Sequence, residues 1–460
     1  MFRIETSSTS RGYCDGLSRR SFLQLGVAGM ASVGLSGVMK AQAASAAKGL
    51  SNKDTSVILV WLDGGPGHMD MYDMKPNAPP EYRGLWSPIK TNVKGMAITE
   101  LFPLQAKIAD KFSIIRSLHH DNGDHFAAAH LFLTGRGGAS GADTSQKSPG
   151  ISAIASKLAG SRTPGMPAHI AVPYSSTVGL RPGYFSGHYI GREGDPFETN
   201  GDPNASNFKV QNLSLSSNMS IQRLDDRRAI MKQLDRARRE ADTTGMMASM
   251  DQFEQRAFDL VTSETARQAF DIGSESNEVR ESFGRNGWGQ SCLLASRLAQ
   301  AGATFITVHM GGWDHHWDLK KGYDNYLPKL DLALSGLFND LVRRGIYDKT
   351  LVVVCGEFGR TPRMNDGGNG GAPGSMGTPG RDHWGNAMFC LMGGGGVKGG
   401  QIVGSTDRLG ETPLDRPLKP TDIHHTIYHV LGVDPHQSFL NHAGRPVAIA
   451  DDGAVIRELF

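Results

Sequence analysis

Three apolar segments, far apart in the chain, each end in side chains that bind metals. SVILVWL runs into Asp63, ATFITVHM precedes the cluster at residues 313–318, and TLVVVCG runs into Glu357. Short apolar runs rich in β-branched residues and followed by glycine are typical of buried strands. Because ligands of open α/β sheets bind outside the carboxyl ends of the strands, the pattern predicts that these side chains meet at one site.

Strand and helix patterns alternate along much of the remaining chain, which is typical of parallel βαβ units. We predict strands at 56–62, 112–116, 168–172, 304–310, 350–355 and 387–392, and helices at 103–110, 126–133, 289–300, 324–344 and 421–431. Residues from about 219 to 285 are mostly charged and poor in glycine, with apolar residues at helical spacing. They predict a helical insertion within one α/β domain spanning residues 50–460.

The first 43 residues have the features of a twin-arginine signal peptide. Arg19 and Arg20 precede a weakly apolar run, and Ala41-Gln42-Ala43 supplies the small residues of a cleavage site. The run is shorter than the roughly 20 residues that span a bilayer, and we find no spanning segment in the mature chain. We therefore expect export by the twin-arginine pathway to the periplasm or cell surface.

Charge, cysteine content and the absence of some motifs argue against several classes of protein. Removing residues 1–43 leaves 43 basic and 44 acidic residues, so the mature chain offers no excess positive charge for nucleic acid. Cys292, Cys355 and Cys390 lie in apolar stretches without a CxxC motif, which indicates buried free thiols. Gly-x-Ser-x-Gly, HExxH and phosphate-loop motifs do not occur, which removes support for serine hydrolases, zincins and nucleotide triphosphatases.

We select five side chains as candidate metal ligands: Asp63, Asp314, His316, Glu357 and His383. A set of carboxylates and imidazoles favours zinc or manganese, but calcium and magnesium are also candidates for the bound ion. An extended backbone would turn Asp314 and His316 to the same side, whereas a helix would pair Asp314 with Asp318. Taken singly, Asp63 could instead cap its turn and each histidine could be structural.

Two further features concern histidines near these candidates. Asp382 directly precedes His383, and we expect its carboxylate to hold the His383 imidazole. His425 and His429 lie four residues apart on a predicted helix, which is a metal-pair spacing, but we interpret them as surface or packing residues.

Several motifs together resemble an exported bacterial family of unknown function within the alkaline phosphatase and sulfatase superfamily. They are RRSFL in the leader, WLDGGP with HMD at 61–70, GGWDHH at 311–316, GEFGRTP at 356–362 and RDHW at 381–384. The resemblance implies a three-layer α/β sandwich with a mostly parallel central sheet, a divalent metal and hydrolysis of sulfate or phosphate esters. It also implies that Asp63 is the metal aspartate of the first strand.

The chain departs from the sulfatase pattern at the nucleophile. LFLTGR at 131–136 resembles the end of the sulfatase signature, and counting back places His125 where a cysteine or serine is required and Ala129 where an arginine is required. The remaining mechanism is metal-activated water, with His125 or His119 as acid or base and Arg360 or Arg136 neutralising an oxyanion.

Two functional hypotheses follow from these observations. The first is an exported, metal-dependent, sulfatase-like hydrolase of a sulfate or phosphate ester, with an anionic polysaccharide as one substrate. The alternative is a relative without catalysis that binds an anionic glycan or a surface partner. A purely structural cell-surface protein is a weaker third hypothesis. Convergence of the five candidate ligands would favour the metal-dependent hypotheses.

Overall fold

The computed structural model of the protein describes residues 54–210, 258–367 and 378–460, together with positions 213, 222, 223, 226 and 255. The predicted leader and most of the first half of the predicted insertion lie outside these residues. Helices at Glu264–Phe270 and Asn277–Ser282 belong to the described part of the insertion.

A sheet of eight strands forms the centre of the described chain. In chain order the strands are β1 (Ser56–Asp63), β2 (Ser113–Leu118), β3 (His169–Val172), β4 (Phe197–Glu198), β5 (Phe305–Gly311), β6 (Thr350–Cys355), β7 (Met388–Gly393) and β8 (Ile402–Val403). Their spatial order is β8-β2-β7-β6-β1-β5-β3-β4. All pairings are parallel except those of β7 with its neighbours β2 and β6.

Helices cover both faces of this sheet. In chain order they are α1 (His125–Thr134), α2 (Ile151–Ala159), α3 (Glu264–Phe270), α4 (Asn277–Ser282), α5 (Gly287–Gln300), α6 (Leu319–Arg343) and α7 (Pro420–Leu431). Short 3-10 helices lie at Gln105–Lys111, Gly183–Phe185, His188–Ile190, Arg192–Gly194, Ile272–Ser274, Tyr347–Lys349 and Arg457–Leu459. Two-stranded pairs are Pro88–Lys90 with Ala97–Thr99, Gly359–Arg360 with His383–Trp384, Ser405–Thr406 with Pro413–Asp415, and Ser438–Leu440 with Pro446–Ala448.

Strand β1 shows why the sheet lies between two helical layers. All eight of its residues are buried, and alternate side chains point to opposite faces of a strand. Ile58, Val60 and Leu62 enter the core that contains α5 and α6. Val57, Leu59 and Trp61 enter the core that contains α1, α2 and α7. This arrangement confirms the predicted three-layer α/β sandwich with a mostly parallel sheet.

The chain turns sharply where β1 ends. Gly64 has φ +111°, and a Cβ on it would lie 2.9 Å from the backbone nitrogens of Trp313 and Asp314. Only glycine combines this backbone conformation with so close an approach. The turn after β1 therefore packs directly against the start of the loop that follows β5, which carries Asp314.

Within the described residues, no helix is long and apolar enough to cross a membrane.

Candidate metal centre

Asp314 lies at the centre of the site. Its Oδ1 lies 3.1 Å from His316 Nε2 and 3.2 Å from His383 Nε2, and its Oδ2 lies 3.3 Å from His125 Nε2. Burial raises the pKa of this carboxyl, but the three neighbouring imidazoles and Arg360 outweigh burial and hold it far below its usual range. The Asp314 side chain remains 42% exposed, so solvent can reach it.

The rings of His316 and His383 are each anchored through Nδ1. His383 Nδ1 donates to the carbonyl of Gly123 at 2.8 Å, and His316 Nδ1 donates to Asp382 Oδ1 at 2.6 Å. A neutral imidazole that donates through Nδ1 presents a lone pair at Nε2. The two Nε2 atoms lie 3.0 Å apart, so either a proton or a cation must lie between two such lone pairs.

His125 is the first residue of α1, and both of its nitrogens face carboxylates. Nδ1 donates to Glu357 Oε1 at 2.7 Å. Nε2 is buried and lies near Asp314 without a hydrogen bond of acceptable geometry. Burial lowers the pKa of His125, but Asp314 and Glu357 more than offset it and raise the pKa to about 9. Asp124 caps α1 by accepting from the Ala127 N–H, which fixes the start of this helix.

Glu357 holds His125. Its carboxylate is fully buried and also accepts from the Gly64 N–H, at 3.0 and 3.2 Å. Burial raises the pKa of this carboxyl. Its two contacts join the end of β6 to the turn after β1 and to the start of α1.

Asp63 lies at the tip of β1, but its carboxylate has other partners. Both oxygens accept from the Val178 N–H at 2.9 Å, and Oδ2 lies 2.9 Å from His309 Nε2. Val178 has φ +45°, an unusual conformation for a β-branched residue. The turn containing Val178 therefore lies against the first-strand aspartate.

Arg360 and His119, our candidate catalytic residues besides His125, occupy different surroundings. Arg360 is buried and donates to Asp314 Oδ1 at 2.6 Å and to the carbonyls of Gly64 and Gly65. It fixes Asp314 against the turn after β1. His119 follows β2, and its charged neighbours are Asp121, Lys419 and Asp422.

Arg136, the other arginine considered for an oxyanion, lies away from this cluster. Its Nη2 donates to the Ala448 carbonyl at 2.8 Å and lies 2.6 Å from Asp451. The helical histidines that we interpreted as packing residues make contacts of that kind. His425 Nε2 lies 2.9 Å from the Asp451 carbonyl, and the His429 ring packs on Phe460.

The donor set fits a divalent metal ion. Zinc bonded at about 2.0–2.1 Å in tetrahedral geometry places its ligand atoms roughly 3.3–3.4 Å apart. The atoms of Asp314, His316 and His383 are 3.0–3.2 Å apart, close to that spacing. His125, Asp314 and His383 form a looser group whose ligand atoms all lie within 4.8 Å. We favour the tighter triangle, because the distances between its ligand atoms are closer to the tetrahedral spacing.

Two contributors to this site have little sequence signal. His309 lies inside the apolar run of β5, where its partner Asp63 is 246 residues away. His120 is buried and its Nε2 lies 2.7 Å from the Glu357 carbonyl. The one sequence signal for His309 is that a polar residue interrupts an otherwise apolar run.

Asp382 was expected to hold His383, but its carboxylate accepts from His316 instead.

Several solved structures are similar to this chain at low sequence identity. A phosphonate monoester hydrolase of Agrobacterium radiobacter has 12% identity and a TM-score of 0.41, over 88% of this chain and 77% of that chain. The PsFucS1 sulfatase from Pseudoalteromonas sp. has 14% identity and a TM-score of 0.36, over 86% and 70%. The C-terminal periplasmic domain of Escherichia coli EcEptC, solved in complex with Zn, has 10% identity and a TM-score of 0.36, over 87% and 90%.

No match was found among curated proteins. The family model described as "Protein of unknown function (DUF1501)" matches residues 54–460, which is nearly all of the chain beyond the predicted leader. The chain therefore belongs to the DUF1501 family.

Proposed function

We propose that this protein is a metal-dependent, sulfatase-like hydrolase of a sulfate or phosphate ester. The observation that carries the proposal is the triangle of Asp314, His316 and His383, whose ligand atoms lie 3.0–3.2 Å apart beside an accessible surface. Zinc or manganese suits this imidazole-rich set better than calcium or magnesium. When bound, the ion would polarise the ester and lower the pKa of water.

The roles of the protein residues follow from their contacts. Asp314, His316 and His383 would hold the ion, with Arg360 fixing the Asp314 carboxylate and Asp382 fixing the His316 ring. These anchors keep the donor atoms in place before the metal arrives, which reduces the cost of ordering them.

His125 would move the proton in this reaction. Its Nδ1 hydrogen bond to Glu357 fixes the ring, and Nε2 points into the site, where it can hold a proton for the departing oxygen. The metal would supply most of the charge that attracts the substrate, because Arg360 is already engaged by Asp314 and backbone carbonyls. A sulfated or phosphorylated polysaccharide is the substrate class that we propose.

The test combines metal analysis with turnover. The purified protein is loaded with zinc or manganese, its metal content is measured by mass spectrometry, and chromogenic sulfate and phosphate esters are assayed. We expect about one ion per chain and turnover that a chelator abolishes. His125→Gln should keep the ion and lose turnover by roughly 10²–10⁴-fold. Bound metal without turnover on any ester would favour the glycan-binding alternative, and absence of bound metal would contradict the metal-dependent hydrolase.

We also propose that residues 1–43 direct export through the twin-arginine pathway to the periplasm or cell surface. The supporting observation is the Arg19-Arg20 pair before a short, glycine-containing apolar run. Replacing both arginines by lysine should leave the full chain inside the cell, as followed by fractionation. Unchanged export of the Lys-Lys variant would contradict this route.

A further inference from the structure

Two buried cysteines lie on neighbouring antiparallel strands. Cys355 ends β6, and Cys390 lies within β7. These strands pair with Leu391 opposite Val354, so one more step in the same register places Cys390 opposite Cys355. Opposite residues of an antiparallel pair have Cα atoms about 4.5–5.5 Å apart. Disulfides form across Cα separations of about 4.4–6.8 Å, so the backbone needs no rearrangement to join this pair.

The two side chains also face the same way. Both are fully buried in the core that contains α1, α2 and α7. The Cys390 thiol donates only a long hydrogen bond to the Leu391 carbonyl, at 3.9 Å. A single buried cysteine is usually a small apolar core residue, but two cysteines at opposite positions of a strand pair, on the same face of the sheet, can be joined by a disulfide.

We infer that Cys355 and Cys390 are a redox pair that forms a cross-strand disulfide. In this reaction both S–H bonds break and one S–S bond forms. The two electrons and two protons pass to a low-molecular-weight disulfide, which is released as two thiols. Burial raises the pKa of the Cys355 thiol, so oxidation is slow and proceeds through local opening of the two strands.

The bond would constrain the candidate metal centre. Residues 356–389 connect the two cysteines, and this segment carries Glu357, Arg360, Asp382 and His383. A covalent link between the ends of the segment restricts it in the unfolded chain, which stabilises the folded form. The pair thereby couples the oxidation state of the protein to the stability of the fold that holds these four residues.

Thiol mapping of the full chain tests this inference. Protein is incubated with oxidised glutathione in urea below the unfolding midpoint, or with dithiothreitol as reference, then denatured in N-ethylmaleimide and analysed by peptide mass spectrometry. We expect a linked peptide containing Cys355 and Cys390, two mass units lighter than the reduced pair, and at least tenfold lower labelling of both. Cys292, equally buried but in the opposite core, should stay fully labelled.

Unchanged labelling of Cys355 and Cys390 would overturn the inference, and so would stable glutathione adducts on either residue. Thermal unfolding gives a second readout. Oxidation should raise the unfolding midpoint of the original protein and of a Cys292→Ala variant by several degrees, and it should leave a Cys355→Ala variant unchanged. An equal midpoint for the oxidised and reduced original protein would also contradict the inference. The thiol map on the original chain needs no variant to fold.

Discussion

Nε2 of His316 lies 3.0 Å from Nε2 of His383, although the two residues are 67 positions apart in the chain. Each ring is held at its other nitrogen, by Asp382 and by the Gly123 carbonyl respectively. Asp314 completes the triangle. Asp314 and His316 lie in the loop after β5, whereas His383 lies in a separate segment that the fold brings against them.

Loss of one imidazole should remove the metal. We predict that His383→Gln lowers zinc affinity by more than about 100-fold, because glutamine lacks the ring nitrogen that faces Asp314 and His316. Isothermal titration calorimetry measures the effect. His436→Gln, at an exposed position, is the matched control and should bind zinc as the original protein does. Equal zinc affinity for the two variants would rule out His383 as a ligand.

Asp382 should matter for the metal without touching it. We predict that Asp382→Asn weakens zinc binding by about 10- to 100-fold, because its carboxylate fixes the His316 ring through a 2.6 Å hydrogen bond. The same calorimetric titration measures it. Asp382 is exposed, so the unfolding free energy of the metal-free variant should change little. An unchanged zinc affinity would show that Asp382 does not position a metal ligand.

A buried ion pair supports the segment that carries His383. Arg381 and Asp70 are both fully buried, with Arg381 Nε 2.8 Å from Asp70 Oδ2. We predict that Arg381→Met lowers the free energy of unfolding by about 3–5 kcal/mol, because Asp70 is left as an unpaired buried charge. Urea denaturation measures the loss. The double variant with Asp70→Leu should recover part of it, and a loss equal to the sum of the single losses would show that the pair is not coupled.

Two buried histidines should make stability depend on pH. Burial lowers the pKa of His169 and of His424 to about 4, below the value of about 6.5 in an unfolded chain. Each therefore contributes stability that is fully present above pH 6.5 and is lost as the pH falls toward 4. The loss at the acid end is about 3 kcal/mol for each residue, from about 1.4 kcal/mol per pKa unit.

Urea denaturation at pH 7.0, 5.5 and 4.5 checks this expectation. His424→Gln should show a shallower decline in unfolding free energy than the original protein. His425→Gln, its partly exposed neighbour on α7, is the control and should decline as steeply as the original. If the His424 variant declined as steeply as the control, burial of the neutral imidazole would not be the cause.

The sequence predicted most of the sheet because its strands are short, apolar and β-branched. The predicted strand at 350–355 coincides with β6, and the predicted strand at 56–62 differs from β1 by one residue at its end. The predicted helix at 103–110 is a 3-10 helix at Gln105–Lys111 instead. Local propensity does not decide between these two helix types in a short segment.

Of the candidate ligands, the sequence by itself determined which residues reach the edge of the sheet, because strand ends and glycine turns are encoded locally. Only the tertiary structure decided their partners. The Asp63 carboxylate meets Val178 and His309, and Glu357 meets His125, across more than 100 residues of chain in each case. Gly64 permits the turn after β1 to approach Trp313 and Asp314, and the pairing of His383 with Arg360 places His383 beside them. Side-chain partners of this kind depend on loops whose course no local pattern encodes.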